Sequence, residues 1–150
     1  MKSSARTAIP FILLLLPLVM SLLTGCSTAS ASSSGGLNMA SNDGMPQGVK
    51  SASTDVQQAY RYAVDNPEVL KRIPCYCGCI DLGHTSNYAC YVASEETDGK
   101  INYNDHALGC SICVDITQDV MRLSKLGKSI NDIKVYIDQT YSQYGPANIP

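Results

Sequence analysis

The chain has 150 residues and a formal charge of −2 at neutral pH, which is enough for one small domain with flanking segments. It has no basic stretch of the kind that binds nucleic acid, so a nucleic-acid partner is not expected. One phenylalanine and no tryptophan leave little large apolar material for a core. A core this modest predicts that something besides hydrophobic burial stabilises the domain.

The first 25 residues have the composition of an export signal. Lys2 and Arg6 precede an almost wholly apolar run, Ile9 to Leu23, which is short for a membrane span. The next residues, Thr24-Gly25-Cys26, resemble the end of the bacterial lipobox. That resemblance implies cleavage before Cys26, acyl chains such as palmitate on that residue, and attachment to the extracytoplasmic face of the cell membrane. The alternative is a plain signal peptide, or an anchor helix, with an unrelated cysteine.

Residues 26–53 are predicted to form a flexible tether behind Cys26. Its serine- and glycine-rich start cannot bury enough apolar surface to offset the entropy of ordering the chain. The folded domain is then predicted over residues 54–150. This organisation places a small soluble unit at the membrane surface.

Two helices are predicted at the start of that domain. The first is capped by Ser53 or Thr54, and the second begins at Pro67 with Asn66 as its cap and runs to about Arg72. From 75 to 109 the hydrophobic periodicity is poor and turn residues are frequent. Within that stretch, residues 88–93 have strand composition, and residues 100–103 are suited to pair with them.

Two longer helices are predicted after residue 109. The first has an apolar stripe and ends at Gly127. The second is capped by Ser129, with Asp132 at the capping-box position, and ends at Gly145. The stripe of the first is Ile112, Ile116, Val120 and Leu123, and that of the second is Ile130, Ile133, Ile137, Tyr141 and Tyr144. The predicted fold class is therefore mostly α: a small helical domain with a long, irregular Cys/His-rich insertion and a short β-hairpin at most.

Six cysteines and both histidines lie in the insertion and at the start of the following helix: Cys75, Cys77, Cys79, His84, Cys90, His106, Cys110 and Cys113. Cysteines two apart in an extended chain are about 6.6–7 Å apart, near the outer limit for a disulfide between neighbours. Thiolates that curl round an ion need no such bridge, and Gly78 allows the chain to bend. The pattern predicts these eight side chains as metal ligands.

The Cys110-x-x-Cys113 spacing is common in metal knuckles, and a helix N-terminus stabilises thiolates. Asp115, one turn into that helix, is predicted to orient a ligand by hydrogen bonding. Between Arg72 and Arg122 the chain has one lysine and seven acidic residues, a charge balance that attracts cations.

Two other interpretations of the cysteines stay open. Six exported cysteines are also consistent with three disulfides, and a disulfide-stapled surface lipoprotein would bind a partner protein. A CxxC at a helix start is also suited to thiol–disulfide exchange, although no βαβ pattern surrounds Cys110 and Cys113. No other catalytic motif is visible, so the chain is not predicted to be an enzyme.

Soft thiolates select Cu(I), Zn(II) and iron–sulfur clusters. Crowded sulfur favours Cu(I), with Zn(II) as second choice. The predicted function is capture of the ion, or its transfer to or from a donor or acceptor protein.

The chain resembles the family of bacterial lipoproteins named after the PCYCGC motif. The resemblance lies in Pro74-Cys75-Tyr76-Cys77-Gly78-Cys79, with Gly83-His84, Cys90, His106 and Cys110-x-x-Cys113-x-Asp115. The resemblance implies an exported, membrane-tethered protein with a metal-binding cysteine domain, and it implies no particular reaction.

Overall fold

The computed structural model describes residues 36–149. The predicted signal peptide and the predicted lipidation site at Cys26 lie outside the described residues. The helices are α1 Gln47–Lys50, α2 Thr54–Asp65, α3 Pro67–Leu70, α4 Ser111–Lys125 and α5 Ile130–Tyr141, and the strands are β1 Val92–Glu95 and β2 Ile101–Tyr103. Within this part of the chain, no helix combines the length and apolarity needed to cross a bilayer. The predicted mostly helical fold class is confirmed.

Helix α4 is the centre of the domain and packs against both α2 and α5. Its apolar stripe points inward, and Ile116 and Val120 are fully buried. The facing side chains of α5, Ile133 and Ile137, are buried as well. Burial of each such side chain stabilises the fold by about 1.5–3 kcal/mol, so this stripe fixes where the N-terminus of α4, and therefore Cys110 and Cys113, must lie.

The predicted boundary between α4 and α5 is confirmed at both ends. Gly127 has a φ of +71°, a left-handed conformation that glycine adopts without steric cost. Its N–H donates to the Ser124 carbonyl and the next N–H donates to the Leu123 carbonyl, which completes a Schellman motif. At α5, the Ser129 hydroxyl oxygen accepts a hydrogen bond from the Asp132 N–H. The chain therefore reverses sharply, and the two helices pack side by side.

The predicted hairpin is present, but its first strand starts later than predicted. β1 and β2 are antiparallel, with Val92 opposite Tyr103, whereas residues Tyr88–Cys90 form a 3-10 turn. The reason is burial: Cys90, Tyr91 and Val92 are all buried, and three consecutive residues cannot all face one side of a strand. The turn thus directs Cys90 inward before the strand begins.

The folded unit begins before Thr54, earlier than the sequence predicted. Met45 and Val49 are 4% and 1% exposed, and α1 packs on α2. A methyl group added at Gly48 would lie 3.2 Å from Leu108 Cδ1, so the absence of a side chain lets α1 approach the domain closely. Two apolar side chains in a polar segment are sufficient to dock it, and the predicted tether 26–53 is not a free coil over its described part.

Ser53 stands at the N-cap of α2 as predicted, but its side chain makes no capping hydrogen bond. Two other local predictions were wrong. Tyr144 is 57% exposed because α5 ends at Tyr141 and a 3-10 turn, Ser142–Tyr144, rotates its side chain away from the core. Asn66 does not cap α3 with its side chain; its amide donates instead to the carbonyls of Tyr62 and Asn38. In both cases the residue type predicted one local role, and the path of the chain after the preceding helix gave the side chain different partners or surroundings.

Candidate metal centre

Three segments of the chain meet at one point of the domain. The first is the motif loop, residues 74–79; the second is the stretch from His84 to Cys90; the third is the turn His106–Leu108 with the N-terminus of α4. All eight predicted ligand side chains converge there. The six cysteines of the described chain are free thiols.

Four of the sulfurs are packed against one another. Cys75 Sγ lies 3.3 Å from Cys77 Sγ and 3.4 Å from Cys113 Sγ, and the latter two sulfurs are 3.6 Å apart. Cys110 Sγ is 3.4 Å from Cys113 Sγ. Zinc–sulfur bonds of about 2.3 Å in a tetrahedron separate the sulfurs by roughly 3.8 Å, so this packing needs only a small expansion to admit an ion.

The remaining donors extend the cluster on its other side. Cys79 Sγ is 4.0 Å from Cys90 Sγ, and His84 Nδ1 is 3.6 Å from the same Cys90 sulfur. His106 Nε2 lies 3.5 Å from Cys77 Sγ. The two imidazole rings are perpendicular, with their centroids 4.9 Å apart. The cluster is therefore one continuous array of sulfur and nitrogen donors.

Four sets of donor atoms lie within 4.8 Å of one another: Cys77, His106, Cys110 and Cys113; Cys79, His84, Cys90 and His106; Cys75, Cys77 and Cys79; and Cys75, Cys90 and Cys113. A metal ion bonded to such a set needs donor atoms at this range, because ligand bonds of about 2.0–2.3 Å place the ligands within roughly 4 Å of each other. The residues present therefore fit a thiophilic ion.

Glycine shapes the motif loop as the sequence predicted. Gly78 has a φ of +79°, and Gly83 has a φ of +77°. They bracket the 3-10 turn Cys79–Leu82, so the chain folds back twice within six residues. This backbone path turns Cys75, Cys77 and Cys79 toward one centre, which a straight extended chain would not do.

The cluster is unequally covered. Cys75, Cys79, Cys90 and Cys113 are buried, whereas Cys77, Cys110 and His106 are half-buried. His84 is buried on the inner side. One side of the array is therefore closed by protein, and the opposite side, near Cys77 and Cys110, reaches the surface.

The thiols perturb one another's protonation. A hydrogen bond with Cys113 lowers the pKa of Cys75, and the same hydrogen bond raises the pKa of Cys113. Burial is the largest cause that raises the pKa values of Cys77 and Cys79. Metal binding requires deprotonated thiols, so an ion that binds this cluster displaces protons from the sulfurs.

Burial, followed by the charge of His106, lowers the pKa of His84, which keeps that ring neutral. The side-chain amide of Asn104 lies against the His84 ring, and two hydrogen bonds fix the orientation of that amide. Its Oδ1 accepts from the backbone N–H of His106 at 3.0 Å, and its Nδ2 donates to the Ala89 carbonyl at 3.0 Å. With the amide so oriented, Nδ2 lies 2.9 Å from His84 Nε2 and donates to it. The proton of the neutral ring is then on Nδ1, toward Cys90. His84 therefore acts here as a donor to Cys90, whereas His106 presents Nε2 directly to the cluster.

Sequence reasoning missed Asn148, which binds the motif loop. Its side-chain oxygen accepts from the Cys75 N–H at 2.7 Å, its own N–H donates to the Cys75 carbonyl at 3.1 Å, and its Nδ2 lies 3.4 Å from Cys79 Sγ. Nearby, a Cβ at Gly145 would lie 2.9 Å from the Tyr76 carbonyl oxygen. A lone asparagine after the last helix carries no periodic signal, so only the fold reveals it.

A second missed group binds the backbone at Cys113. The Tyr91 hydroxyl donates to the Cys113 carbonyl at 2.7 Å, and Asn87 Nδ2 donates to the same oxygen at 3.2 Å. Thr117 Oγ1 donates a hydrogen bond to Asn87 Oδ1 at 2.8 Å and so orients the Asn87 amide. These three polar side chains are buried, and each of their buried polar atoms has at least one hydrogen-bond partner. They lock the first turn of α4, from which Cys113 projects.

Asp115 does not make the contact predicted for it. It is exposed on α4, and within residues 36–149 no hydrogen bond joins it to a cysteine or histidine of the cluster. Helical geometry explains this, because residues two apart point in directions about 200° from each other. The hydrogen bonds to the ligand residues come from Asn104 and Asn148 instead.

The fold and the cluster define a class of protein: a small helical domain built round a mixed thiol and imidazole site. The family model described as "Protein of unknown function with PCYCGC motif" matches residues 16–150, and the chain belongs to this family. The resemblance of the motif at residues 74–79 is thereby confirmed. No curated protein and no solved structure matches the chain.

Proposed function

We propose that this protein is a membrane-anchored, extracytoplasmic lipoprotein that binds a thiophilic metal ion, with Cu(I) favoured over Zn(II), for capture or transfer. One observation supports the binding role above all: six free thiols and two imidazoles from three segments converge on one centre. Thiolate and neutral imidazole are the donors that both ions prefer.

The sulfur packing favours an ion over three disulfides. Cys113 Sγ has three sulfur neighbours within 3.6 Å, those of Cys75, Cys77 and Cys110. A disulfide joins a sulfur to one neighbour only, whereas one ion bonds to several sulfurs at once. Three disulfides would join the six sulfurs in pairs and would not explain why three sulfurs surround the Cys113 sulfur.

Thiol–disulfide exchange has less support than metal binding. Exchange at Cys110 and Cys113 needs an accessible thiolate and a second thiol that the substrate disulfide can reach. Cys110 is half-buried, but Cys75, whose pKa a hydrogen bond with Cys113 lowers, is fully buried. Cys113 is buried, and its hydrogen bond with Cys75 raises its pKa. These two positions are suited to holding a cation and poorly suited to attacking a substrate disulfide.

The membrane location rests on the sequence. The apolar run Ile9 to Leu23 followed by Cys26 has the pattern of a lipoprotein signal, and acyl chains contribute about 0.8 kcal/mol per buried methylene. A domain held at the surface in this way is placed to receive an ion from one protein and deliver it to another. A donor or acceptor protein is therefore part of the proposal, and nucleic acid is not.

Metal binding is tested with the full chain, purified in detergent without oxygen and titrated with Cu(I) against a competing chromophoric chelator, then separately with Zn(II). We expect stoichiometric binding of either ion, with Cu(I) displacing Zn(II). Cys77→Ser should weaken binding, whereas Ser111→Ala, an exposed neighbour of the CxxC cysteines, should not. An intact mass six protons lower, with no ion retained, would establish three disulfides and exclude the proposal.

A further inference from the structure

We infer that the cluster holds two ions in sites of unequal access, an inner site that retains its ion and an outer site that exchanges it. This inference rests on the proposed metal-binding function. The inner site is formed by Cys75, Cys79 and Cys90, and the outer site by Cys77, His106, Cys110 and Cys113.

The number of donors exceeds what one ion uses. A tetrahedral site takes four ligands, and thiolate-bound Cu(I) takes fewer, yet seven donor atoms converge besides His84, whose ring nitrogens are both hydrogen-bonded. The four outer donors lie within 4.8 Å of one another and form a complete set by themselves. A single ion there would leave the three buried sulfurs of Cys75, Cys79 and Cys90 close together but bonded to no metal.

The inner donors are three mutually close sulfurs. Cys79 and Cys90 are 4.0 Å apart, and Cys75 lies within 4.8 Å of each. Their exposed fractions are 0%, 1% and 0% for Cys75, Cys79 and Cys90. Three buried sulfurs match the low coordination number of Cu(I), and the soft donor set excludes hard cations.

Two neutral side chains complete the inner site. The His84 Nδ1–H points to Cys90 Sγ at 3.6 Å, and Asn148 Nδ2 donates to Cys79 Sγ at 3.4 Å. Hydrogen bonds from outside the ligand set stabilise thiolate and fix its direction. Cys75, Cys79 and Cys90 are each at most 1% exposed, so an incoming ligand has less access to an ion bound there than to one held by the half-buried outer donors.

The outer donors differ because they meet solvent. Cys77, His106 and Cys110 are half-buried, and Cys110 lines a surface cleft of about 380 Å³. The cleft is also lined by Asp55 and Asp115, two acidic groups that favour the approach of a cation. Closed sites hold their metal, and sites with an open side exchange it, so the outer ion is the one available to a partner.

Cys75 connects the two sites. Its sulfur is 3.3 Å from Cys77 Sγ and 3.4 Å from Cys113 Sγ on the outer side, and it shares the inner set with Cys79 and Cys90. A thiolate between two cations is stabilised by both of them. Loss of Cys75 should therefore weaken both sites, whereas loss of Cys110 should affect the outer one alone.

The test is native mass spectrometry of the full chain in detergent during an anaerobic Cu(I) titration. We expect a plateau at two ions, and excess chelator should then remove one ion about tenfold faster than the other, or more. Cys110→Ser should retain one ion, the slow one, and Ser111→Ala should retain both. Circular dichroism checks that the variants fold, and the release kinetics of the unmodified chain require no variant.

The outcomes separate the two proposals. A plateau at one ion or above two, or release of two ions at one rate, would overturn the two-site inference and leave metal binding intact. Failure to bind any ion would overturn both. Retention of the fast ion in place of the slow one by Cys110→Ser would show that the sites are assigned the wrong way round.

Discussion

Asn148 and Cys75 are 73 residues apart in sequence and are joined by two hydrogen bonds, one to the Asn148 side chain and one between the two backbones. The Cys75 N–H donates to Asn148 Oδ1 at 2.7 Å, and the Asn148 N–H donates to the Cys75 carbonyl at 3.1 Å. Both residues are buried. The segment after the last helix thus supports the backbone at the first cysteine of the motif.

Asn148→Ala should weaken metal binding by about 10–100-fold, the usual effect of removing a hydrogen bond to a ligand residue. It should also lower the free energy of unfolding of the metal-free protein by about 1–3 kcal/mol, because the Cys75 N–H is left buried without a partner. Chelator competition and urea unfolding measure the two effects. Gln143→Ala, an exposed change on the same segment, is the control. Equal affinity for Asn148→Ala and the parent protein would contradict this role.

Gly145→Ala should displace the motif loop. The added Cβ would lie 2.9 Å from the Tyr76 carbonyl oxygen, closer than real Cβ contacts, so the backbone must move. Overpacking of this kind costs about 1–3 kcal/mol, and the free energy of unfolding should fall by that amount. Gly44→Ala is matched to it, since a Cβ at Gly44 meets nothing within 4 Å. If the two substitutions have the same effect, the close approach is unimportant.

Tyr91→Phe should destabilise the protein by about 1–2 kcal/mol, because the buried Cys113 carbonyl loses the hydrogen bond that the hydroxyl group donates to it. Tyr144→Phe, at an exposed position, should change the free energy of unfolding by less than about 0.5 kcal/mol. Urea unfolding of the metal-free proteins provides the measurement. A smaller effect at Tyr91 than at Tyr144 would refute the proposed support of the first turn of α4.

Stability should fall in alkaline solution. Burial raises the pKa of Tyr91 well above the ordinary value of about 10. Above that pH the unfolded chain ionises this phenol while the folded chain keeps its proton, so the free energy of unfolding declines as the pH rises. Below pH 10 the contribution is fully present. The urea midpoint, followed from pH 8 to pH 11, should decline less steeply in Tyr91→Phe; parallel curves would show that Tyr91 does not contribute.

Cys26→Ser should release the protein from membranes. If Cys26 is lipidated as proposed, the substitution removes the sulfur that would carry the acyl chain, and with it the apolar surface that would hold the domain at the bilayer. The protein should lose metabolically incorporated palmitate and appear in the fraction released by a detergent-free wash. Ser27→Ala leaves the sulfur in place and should stay bound. Membrane retention of Cys26→Ser would show that the apolar N-terminal run is itself the anchor.

The helical elements were predictable because their signals are local. The stripe of Ile116, Val120 and Leu123 places one face of α4 in the core, and Gly127 ends the helix by its own conformational freedom. The same logic failed at Tyr144, where the helix stops one turn before the periodic pattern does. Periodicity reports which residues would share a face, and it does not report where the chain leaves the helix.

The ligand residues could be nominated from the sequence, since eight thiophilic side chains in one segment are unusual by type and spacing alone. Their division into an inner and an outer set could not be predicted. Cys75 and Cys77 are two residues apart and chemically identical, yet the first is fully buried and the second half-buried. That difference arises from which distant segments cover each sulfur.

The sequence by itself determined the kind of chemistry available here, because the softness of sulfur and imidazole is a property of the side chains and is independent of the fold. It also determined the family and the helical frame, both of which are encoded in short patterns. The tertiary structure alone decided which donors face one another, which are sealed from water, and that Asn148, Asn104 and Tyr91 support them. Hydrogen bonds and burial depend on distances between remote segments, and those distances exist only once the chain has folded.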